Sequence, residues 1–455
     1  MSSPGGKRSA SSLCSRAMPP PSGGKSWARS SAVIARRVAC GLATYWGRRA
    51  RCIIRGRHDP FGKASPAWSR DRLVARALGF PYLRPSPGGR PTPDLSVAEP
   101  ARPARPPGTL RVLLVDSGRE WRGGQAQVLL LGQELTRAGV DVRLVTNGAG
   151  ELAQRARAAG VSVRGTPWTA ALDPRALWAL CREVRRFRPV VIHAHDSHAL
   201  LLATWARRCG GPAQLVATRR VDFHLRRRGL WQRAGRVIAV SEAVARVLGS
   251  DGVPADRITV VRDGIDPEAV RRSAAVPLDI RGRLGLPPAT PLAVNVAALV
   301  AHKDHRTLIG AATATAARRP DLHWAIAGAG PLRPALAAEI ARAGLEHRVH
   351  LLGYVPEADA LIREADVFVM SSREEGLGSV VLHALALGKP VVATRAGGLP
   401  EIAPPSGLVP VGDPSALGNA VVHALEHPEA TTLPPDCTAP AMAEGVLAVY
   451  RTLPA

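Results

Sequence analysis

The stretch from Ser371 to Gly388, SSREEGLGSVVLHALALG, carries the residue types best suited to chemistry. A buried-type strand ends in a pair of acids, a Gly-Leu-Gly-Ser loop follows, and an apolar helix runs on to Gly388. Backbone amides of Gly376, Leu377, Gly378 and Ser379, at the positive end of a helix dipole, suit an anion such as a diphosphate. Ser379 is the expected N-cap. Glu375 stands at the rim of this loop, or else on a plain surface turn. Lys303, just after the apolar run Leu292 to Ala298, is a cation able to reach the same place from a neighbouring strand end.

Three further motifs qualify. RGGQAQ, from Arg122 to Gln127, places Gly123 and Gly124 between a strand and a helix; it is either a second anion-binding helix start or a simple tight turn. VIHAHDSH, from Val191 to His198, puts His193, His195 and His198 beside Asp196 at the end of a strand. Such a set suits zinc, or one histidine directed at a sugar or phosphate, or structural hydrogen bonding. AGAGPL, from Ala327 to Leu332, offers Gly328 and Gly330 as a weak dinucleotide signal, with Pro331 equally suited to opening a helix.

The elements that must position these residues follow from hydropathy. Apolar runs of strand length alternate with helical patterns from Arg111 onward: RVLLVD, VDVRLVT, VVIHAH, QLVAT, RVIAVS and ITVV. A polar stretch around residues 266–288 interrupts the series. It then resumes with LAVNVAA, HWAIAG, VHLLG, ADVFVMSS, PVVAT and GLVPV. Repeated strand–helix alternation implies parallel sheets covered on both faces. The expected fold class is therefore α/β, with two tandem doubly wound, Rossmann-like domains facing a central cleft. Residues 109–275 form the N-terminal domain of this reading. Residues 276–455 form the C-terminal domain with a terminal helix. Ligands of such sheets bind beyond the carboxyl ends of the strands.

The chain has 455 residues and a formal net charge of +25. Residues 1–108 hold 20 Lys and Arg against 4 Asp and Glu, so most of the basic excess sits in one quarter of the chain. That quarter is rich in Ser, Pro, Gly and Arg and shows no sustained periodicity. Its composition predicts a disordered basic extension, dispensable for folding. It is read as a start assigned too far upstream, as a tail touching an anionic membrane or nucleic acid, or as a targeting peptide. No uncharged apolar stretch reaches the ~18–20 residues of a bilayer span. Six cysteines with no CxxC pair exclude a disulfide scaffold and a zinc ribbon.

From about Arg111 to Glu426 the chain resembles the retaining GT-B glycosyltransferases of family 4, the group 1 glycosyltransferases. The resemblance rests on RGGQAQ, HAH, AVSEAV, the Asp263 to Asp266 turn DGID, LVAHKD, AGAGPL, LLGYV, EEGLGSVVLHALALGKPVVAT and AGGLPEI, in that order. RGGQ, TRRVDF and HKDH look most like bacterial enzymes of lipopolysaccharide and envelope-glycan synthesis. The resemblance implies a nucleotide-sugar donor on the C-terminal domain and a glycan or lipid-linked acceptor on the N-terminal one, with Arg219 and Arg220 on the acceptor side. His195, Lys303 and Glu375 are the implied catalytic set. Gly123, Gly124, Gly328, Gly330, Gly376, Leu377, Gly378, Ser379 and His383 are the implied donor contacts. No metal or other cofactor is expected, and no nucleic acid. The expected location is cytoplasmic, with peripheral contact to the inner membrane surface.

Three positions depart from the family pattern. His383 stands where a second glutamate is usual, Ala298 where an arginine is usual, and Asp263 where an asparagine is usual. His383 is read as a neutral substitute for a ribose-binding carboxylate, or as a core histidine bonded to a carbonyl. Two rival readings stay open: a metallo-hydrolase built on His193, His195 and His198, and a basic nucleic-acid-binding protein driven by the extension.

Overall fold

The computed structural model describes residues 109–226 and 228–454. The expectation for residues 1–108 lies outside them. Thirteen strands form two wholly parallel sheets. The first contains β1 (Arg111–Asp116), β2 (Asp141–Asn147), β3 (Ser162–Thr166), β4 (Val191–Ala194), β5 (Gln214–Arg219), β6 (Arg236–Ala239) and β7 (Ile258–Val260), in the order β3-β2-β1-β4-β5-β6-β7. The second contains β8 (Leu292–Val296), β9 (His323–Ala327), β10 (Val349–Gly353), β11 (Val367–Met370), β12 (Val391–Thr394) and β13 (Leu408–Val409), in the order β10-β9-β8-β11-β12-β13. This is the expected pair of doubly wound sheets.

Central strands are buried on both faces, which is why they read as unbroken apolar runs. Val112, Leu113, Leu114 and Val115 of β1 alternate between two cores, one under each helical layer. In each sheet the strand order reverses once, at β1/β4 and at β8/β11. Neighbouring connections there leave toward opposite faces, which opens a crevice at the strand ends. RGGQAQ follows β1, His195 follows β4, Lys303 follows β8 and Glu375 follows β11. Four of the motifs singled out by residue type thus lie at the two places where the topology leaves room.

The division of the chain differs from the expected one. The helix Ala439–Arg451 does not close the second sheet. Ile265 and Thr438 pair in parallel, and the helix returns to the first half, where Met442, Val446, Val449 and Tyr450 pack with Val112, Leu114, Leu131 and Leu135. Its apolar stripe packs against the helix Gly123–Arg137 and joins the core on that face of β1. The helix Pro267–Ser273, expected in the first half, packs instead on the helices Ala358–Glu364 and Ser379–Ala386 of the second. Cys181 and Cys209 are joined by a disulfide, a single cross-link within the first half. Among the described residues no helix is long and apolar enough to cross a membrane.

A buried polar contact also fastens the returning helix within its apolar layer. The Tyr450 hydroxyl lies 2.7 Å from His193 Nδ1, and both residues are buried. Tyr450→Phe leaves that ring nitrogen without a partner, which costs about 1–3 kcal/mol. The expected result is a lower urea midpoint with an unchanged slope, followed by far-ultraviolet circular dichroism.

Candidate functional site

The first half contributes the ends of β1, β4 and β5. β1 ends in Asp116, which is 1% exposed. Its carboxylate accepts the Gly118 N–H at 2.8 Å and the Gln125 amide at 3.2 Å, so it braces the loop that leads into RGGQAQ. The helix Gly123–Arg137 then starts without a side-chain cap and without an acid in its first turn, leaving first-turn amides open. β4 delivers His193 and His195, whose rings lie 4.2 Å apart. His193 is spent on structure, with Nε2 2.6 Å from the Thr218 hydroxyl and Nδ1 on Tyr450. Asp196 caps the helix Ser197–Ala206 and takes Ser117 at 2.7 Å, while His198 is exposed. The three histidines and the aspartate therefore do not converge on a point. Among the described residues no group of three His, Cys, Asp or Glu side chains could hold a metal ion.

His195 is 6% exposed. Its Nδ1 lies 3.1 Å from Arg220 Nη1, and its Nε2 is buried with no hydrogen-bond partner. Arg220 Nε in turn donates to Asp263 Oδ1 at 3.0 Å. Arg219 donates to the carbonyls of Val221 and Phe223 at 3.0 and 2.6 Å. The two arginines expected to face an acceptor thus turn their guanidinium groups inward, onto the loop that follows β5 and onto His195.

The second half contributes the ends of β8, β9 and β11. Lys303 Nζ and the Glu375 carboxylate form an ion pair, both side chains largely buried. Ser372 adds a hydrogen bond to Glu375 at 3.1 Å, and Ser371 holds the Lys303 carbonyl at 3.0 Å. The pair expected from two separate stretches of sequence is therefore assembled at one strand switch. The helix Ser379–Ala386 begins one residue earlier than expected, at the serine read as its cap. Gly378, in the left-handed region at φ 91°, is the N-cap, and no side chain caps the helix. Ser379 is its first helical residue, and its hydroxyl lies 3.3 Å from where a side chain on Gly123 would begin. Two uncapped helix starts, one from each half, thus face each other. Leu377 is buried between them and the core. Gly328 and Gly330 admit the backbone of the loop after β8: a side-chain carbon would lie 1.8 Å from the Ala297 carbonyl oxygen at the first and 2.4 Å from that of Leu299 at the second.

His383 has a partner that neither sequence reading foresaw. Its Nδ1 is 2.7 Å from the Asp359 carboxylate, which also accepts the Ser273 hydroxyl. Burial raises the Asp359 pKa, but the bond from His383, its charge and the Ser273 bond together hold it below the usual range. The position that lacks the usual carboxylate therefore has one beside it, on a neighbouring helix.

The halves meet through backbone as much as side chains. Asp222 accepts the Glu375 N–H at 2.9 Å, and the Ser241 hydroxyl donates to the Gly376 carbonyl at 2.7 Å. Glu401 accepts the N–H groups of Glu242 and Ala243, both at 3.0 Å, capping a helix of the opposite half. Sequence reasoning passed over Asp116, Asp222, Ser241 and Glu401. Asp222 and Ser241 lie inside the quoted TRRVDF and AVSEAV motifs, and a test of each polar residue there for a backbone partner would have marked them.

Electrostatics separate these groups. Burial and the nearby Asp196 push the Asp116 pKa up to about 6, against the opposing bonds from Gly118 and Gln125 and the charge of Arg220. Burial, then His193, then Arg220 drive the His195 pKa well below the ordinary histidine value, so the imidazole is neutral. Burial raises the Asp263 carboxyl, with Arg220 opposing.

Residues 121–269 match the family model described as Glycosyltransferase Family 4, and residues 290–427 match the one described as Glycosyl transferases group 1. The chain is 30% identical over 359 residues to a 2-deoxystreptamine N-acetyl-D-glucosaminyltransferase of Streptomyces fradiae, covering 67% of this chain and 84% of that protein. It is 31% identical over 204 residues to a 2-deoxystreptamine glucosyltransferase of Streptomyces kanamyceticus, covering 43% of this chain and 53% of that one. It is 31% identical over 265 residues to the putative colanic acid biosynthesis glycosyltransferase WcaL of Escherichia coli K12, covering 53% and 63%. The last two matches thus span little more than half of the relatives' length. In fold, the chain resembles Anabaena Alr3699/HepE, solved in complex with UDP and glucose, with a TM-score of 0.62, 20% identity and coverage of 75% and 97%. It also resembles a glycosyltransferase from Rickettsia africae, with a TM-score of 0.64, 15% identity and coverage of 76% and 98%.

The raised Asp116 pKa has a signed consequence. The folded chain holds this proton up to about pH 6, whereas the unfolded chain releases it near 3.8. Between these values the folded state binds more protons, so stability falls as pH rises. Asp116→Asn keeps the neutral form permanently. Its unfolding free energy is expected to exceed the parent's above about pH 6 and to converge with it below about pH 4, in urea titrations across that range.

Proposed function

The chain belongs to the group 1 glycosyltransferases of family 4, and from that premise we propose that it moves a sugar, with retention of configuration, from a nucleotide-sugar donor to a glycan or lipid-linked acceptor. The observation that carries this reading is the Lys303–Glu375 pair at the β8/β11 switch, faced across the cleft by the helix start at Gly123. A cation and two sets of open helix amides converge where a diphosphate would leave. Preorganised charge of this kind is usually the largest catalytic contribution in a water-poor site. The UDP in the Anabaena neighbour supports a nucleoside diphosphate as the leaving group.

In this reading Lys303 leaves its salt bridge to neutralise the departing diphosphate, with amides of Gly376 to Ser379 and of Gly123 and Gly124 sharing the charge. No arginine stands in the loop after β8, where Ala298 occupies the family's usual arginine position, so Lys303 carries more of the load. Glu375, fixed by Ser372, accepts hydroxyls of the donor sugar. His195 lies at the centre between donor and acceptor. Relatives named for colanic acid, amylovoran and lipopolysaccharide core synthesis support an envelope glycan as the acceptor class. Chemistry without a metal, a cytoplasmic location and peripheral contact with the inner membrane complete the proposal.

Lys303→Ala is expected to lower kcat by about 10²–10³ with the best nucleotide sugar. A loss below tenfold would remove Lys303 from the diphosphate. The proton coupling at the anomeric carbon of the product, read by NMR before mutarotation, tests retention; the configuration opposite to the donor's would refute it.

A further inference from the structure

Arg220 and Asp263 are charged, largely buried, and unused by the transfer chemistry above. Arg220 reaches two partners in the first half. Its Nε donates to Asp263 Oδ1 at 3.0 Å, and its Nη1 lies 3.1 Å from His195 Nδ1. A guanidinium has five N–H donors and no acceptor, and it stays protonated at every working pH. The contact with His195 is therefore possible only if Nδ1 presents a lone pair. The single proton of the neutral ring then sits on Nε2. That atom is buried and has no partner among the described residues. A buried donor left unpaired is costly, so its acceptor is to be sought in what fills the cleft.

The remaining groups around the ring agree with this assignment. His193, its ring tilted against that of His195 with centroids 4.2 Å apart, has both nitrogens engaged by Thr218 and by Tyr450 of the terminal helix. Asp196, next in sequence, is turned away to Ser117 and to the amides of its own helix. Asp116 at the end of β1 is held by Gly118 and Gln125. Asp263 faces Arg220. Among the described residues no acceptor is offered to Nε2–H, and none brings a carboxylate into contact with the ring to draw a second proton onto it.

We propose that Arg220, anchored by Asp263, is a positioning residue that fixes His195 as a neutral Nε2–H donor to an oxygen of the sugar bound in the cleft. His195 orients the sugar and takes no proton during transfer. Asp263 belongs to this device because a carboxylate fixes a guanidinium by charge as well as by hydrogen bond. The inference rests on the transferase reading for the identity of the bound oxygen, but not for the tautomer.

Long-range ¹H–¹⁵N NMR of the full chain labelled at histidine tests the tautomer without any substrate. The expected spectrum holds His195, identified by its absence in His195→Gln, as the Nε2–H form with no titration between about pH 5.5 and 8.5, a range in which a free histidine changes charge. A proton on Nδ1, or an imidazolium in that range, would overturn the proposal. Arg220→Met removes the donor: kcat is expected to fall at least tenfold, with KM for the donor changing less. Its pH–rate profile should gain an acidic limb that the parent lacks, because losing the Arg220 charge makes His195 easier to protonate. Arg220→Lys, which restores a cationic donor, should abolish that limb. If Arg220→Met does not fold, Asp263→Asn serves instead, with a weaker limb of the same sign. A profile as flat as the parent's in folded Arg220→Met or Asp263→Asn would reduce both residues to structural supports. If the parent turns over no nucleotide sugar, the transferase reading fails, while the tautomer result stands or falls separately.

Discussion

A side-chain carbon on Gly376 would lie 2.0 Å from the carbonyl oxygen of Arg220, well inside contact distance. The loop after β11 can approach the loop after β5 only because residue 376 has no side chain. Much else depends on that approach. It brings the Glu375 N–H to Asp222 and the Gly376 carbonyl to Ser241, and it aligns the two helix starts at Gly123 and Ser379. Arg220 touches both halves: its backbone abuts the second, and its side chain reaches back into the first, to Asp263 and His195. One residue thus ties the closure of the cleft to the orientation of the imidazole within it.

The two halves are locked by polar groups that the strands alone could not supply. Sheet and helix layers use long apolar runs, tolerant of many equivalent sequences. The interface between the halves uses single atoms at set distances: the Asp222 carboxylate, the Ser241 hydroxyl, and the Glu401 carboxylate over the start of a helix in the opposite half. Beside these bonds, one buried apolar cluster runs through both halves, from Leu113 and Val115 to Leu377 and Leu399, so the halves are joined by packing as well.

The fold was largely legible because fully buried parallel strands announce themselves as apolar runs. The exceptions have physical causes. β3 was missed: Val163 is the only apolar side chain in an edge strand that also carries Arg164 and Gly165. The terminal helix was placed on the wrong half because periodicity shows that a helix has an apolar face, not which sheet that face covers. Within the candidate site, the meeting of Lys303 and Glu375 at one strand switch was legible from type and spacing. Residues that act by orienting others were not. Arg219 and Arg220 were expected on the acceptor side, yet both turn their guanidinium groups inward; Ser379 was expected as a cap, yet Gly378 takes that place. His383 was marked as a departure, but its partner Asp359 lies 24 residues away and could not be paired with it by pattern.

The central claim is that the cleft between the two switch points receives a nucleoside diphosphate through Lys303 and the facing helix starts. Calorimetric titration of UDP, GDP and ADP into the full chain, and into Lys303→Ala, tests this most directly. The account predicts saturable, one-to-one binding of at least one of them, weakened at least tenfold by the substitution. Absence of binding by all three, or equal affinity in Lys303→Ala, would contradict it.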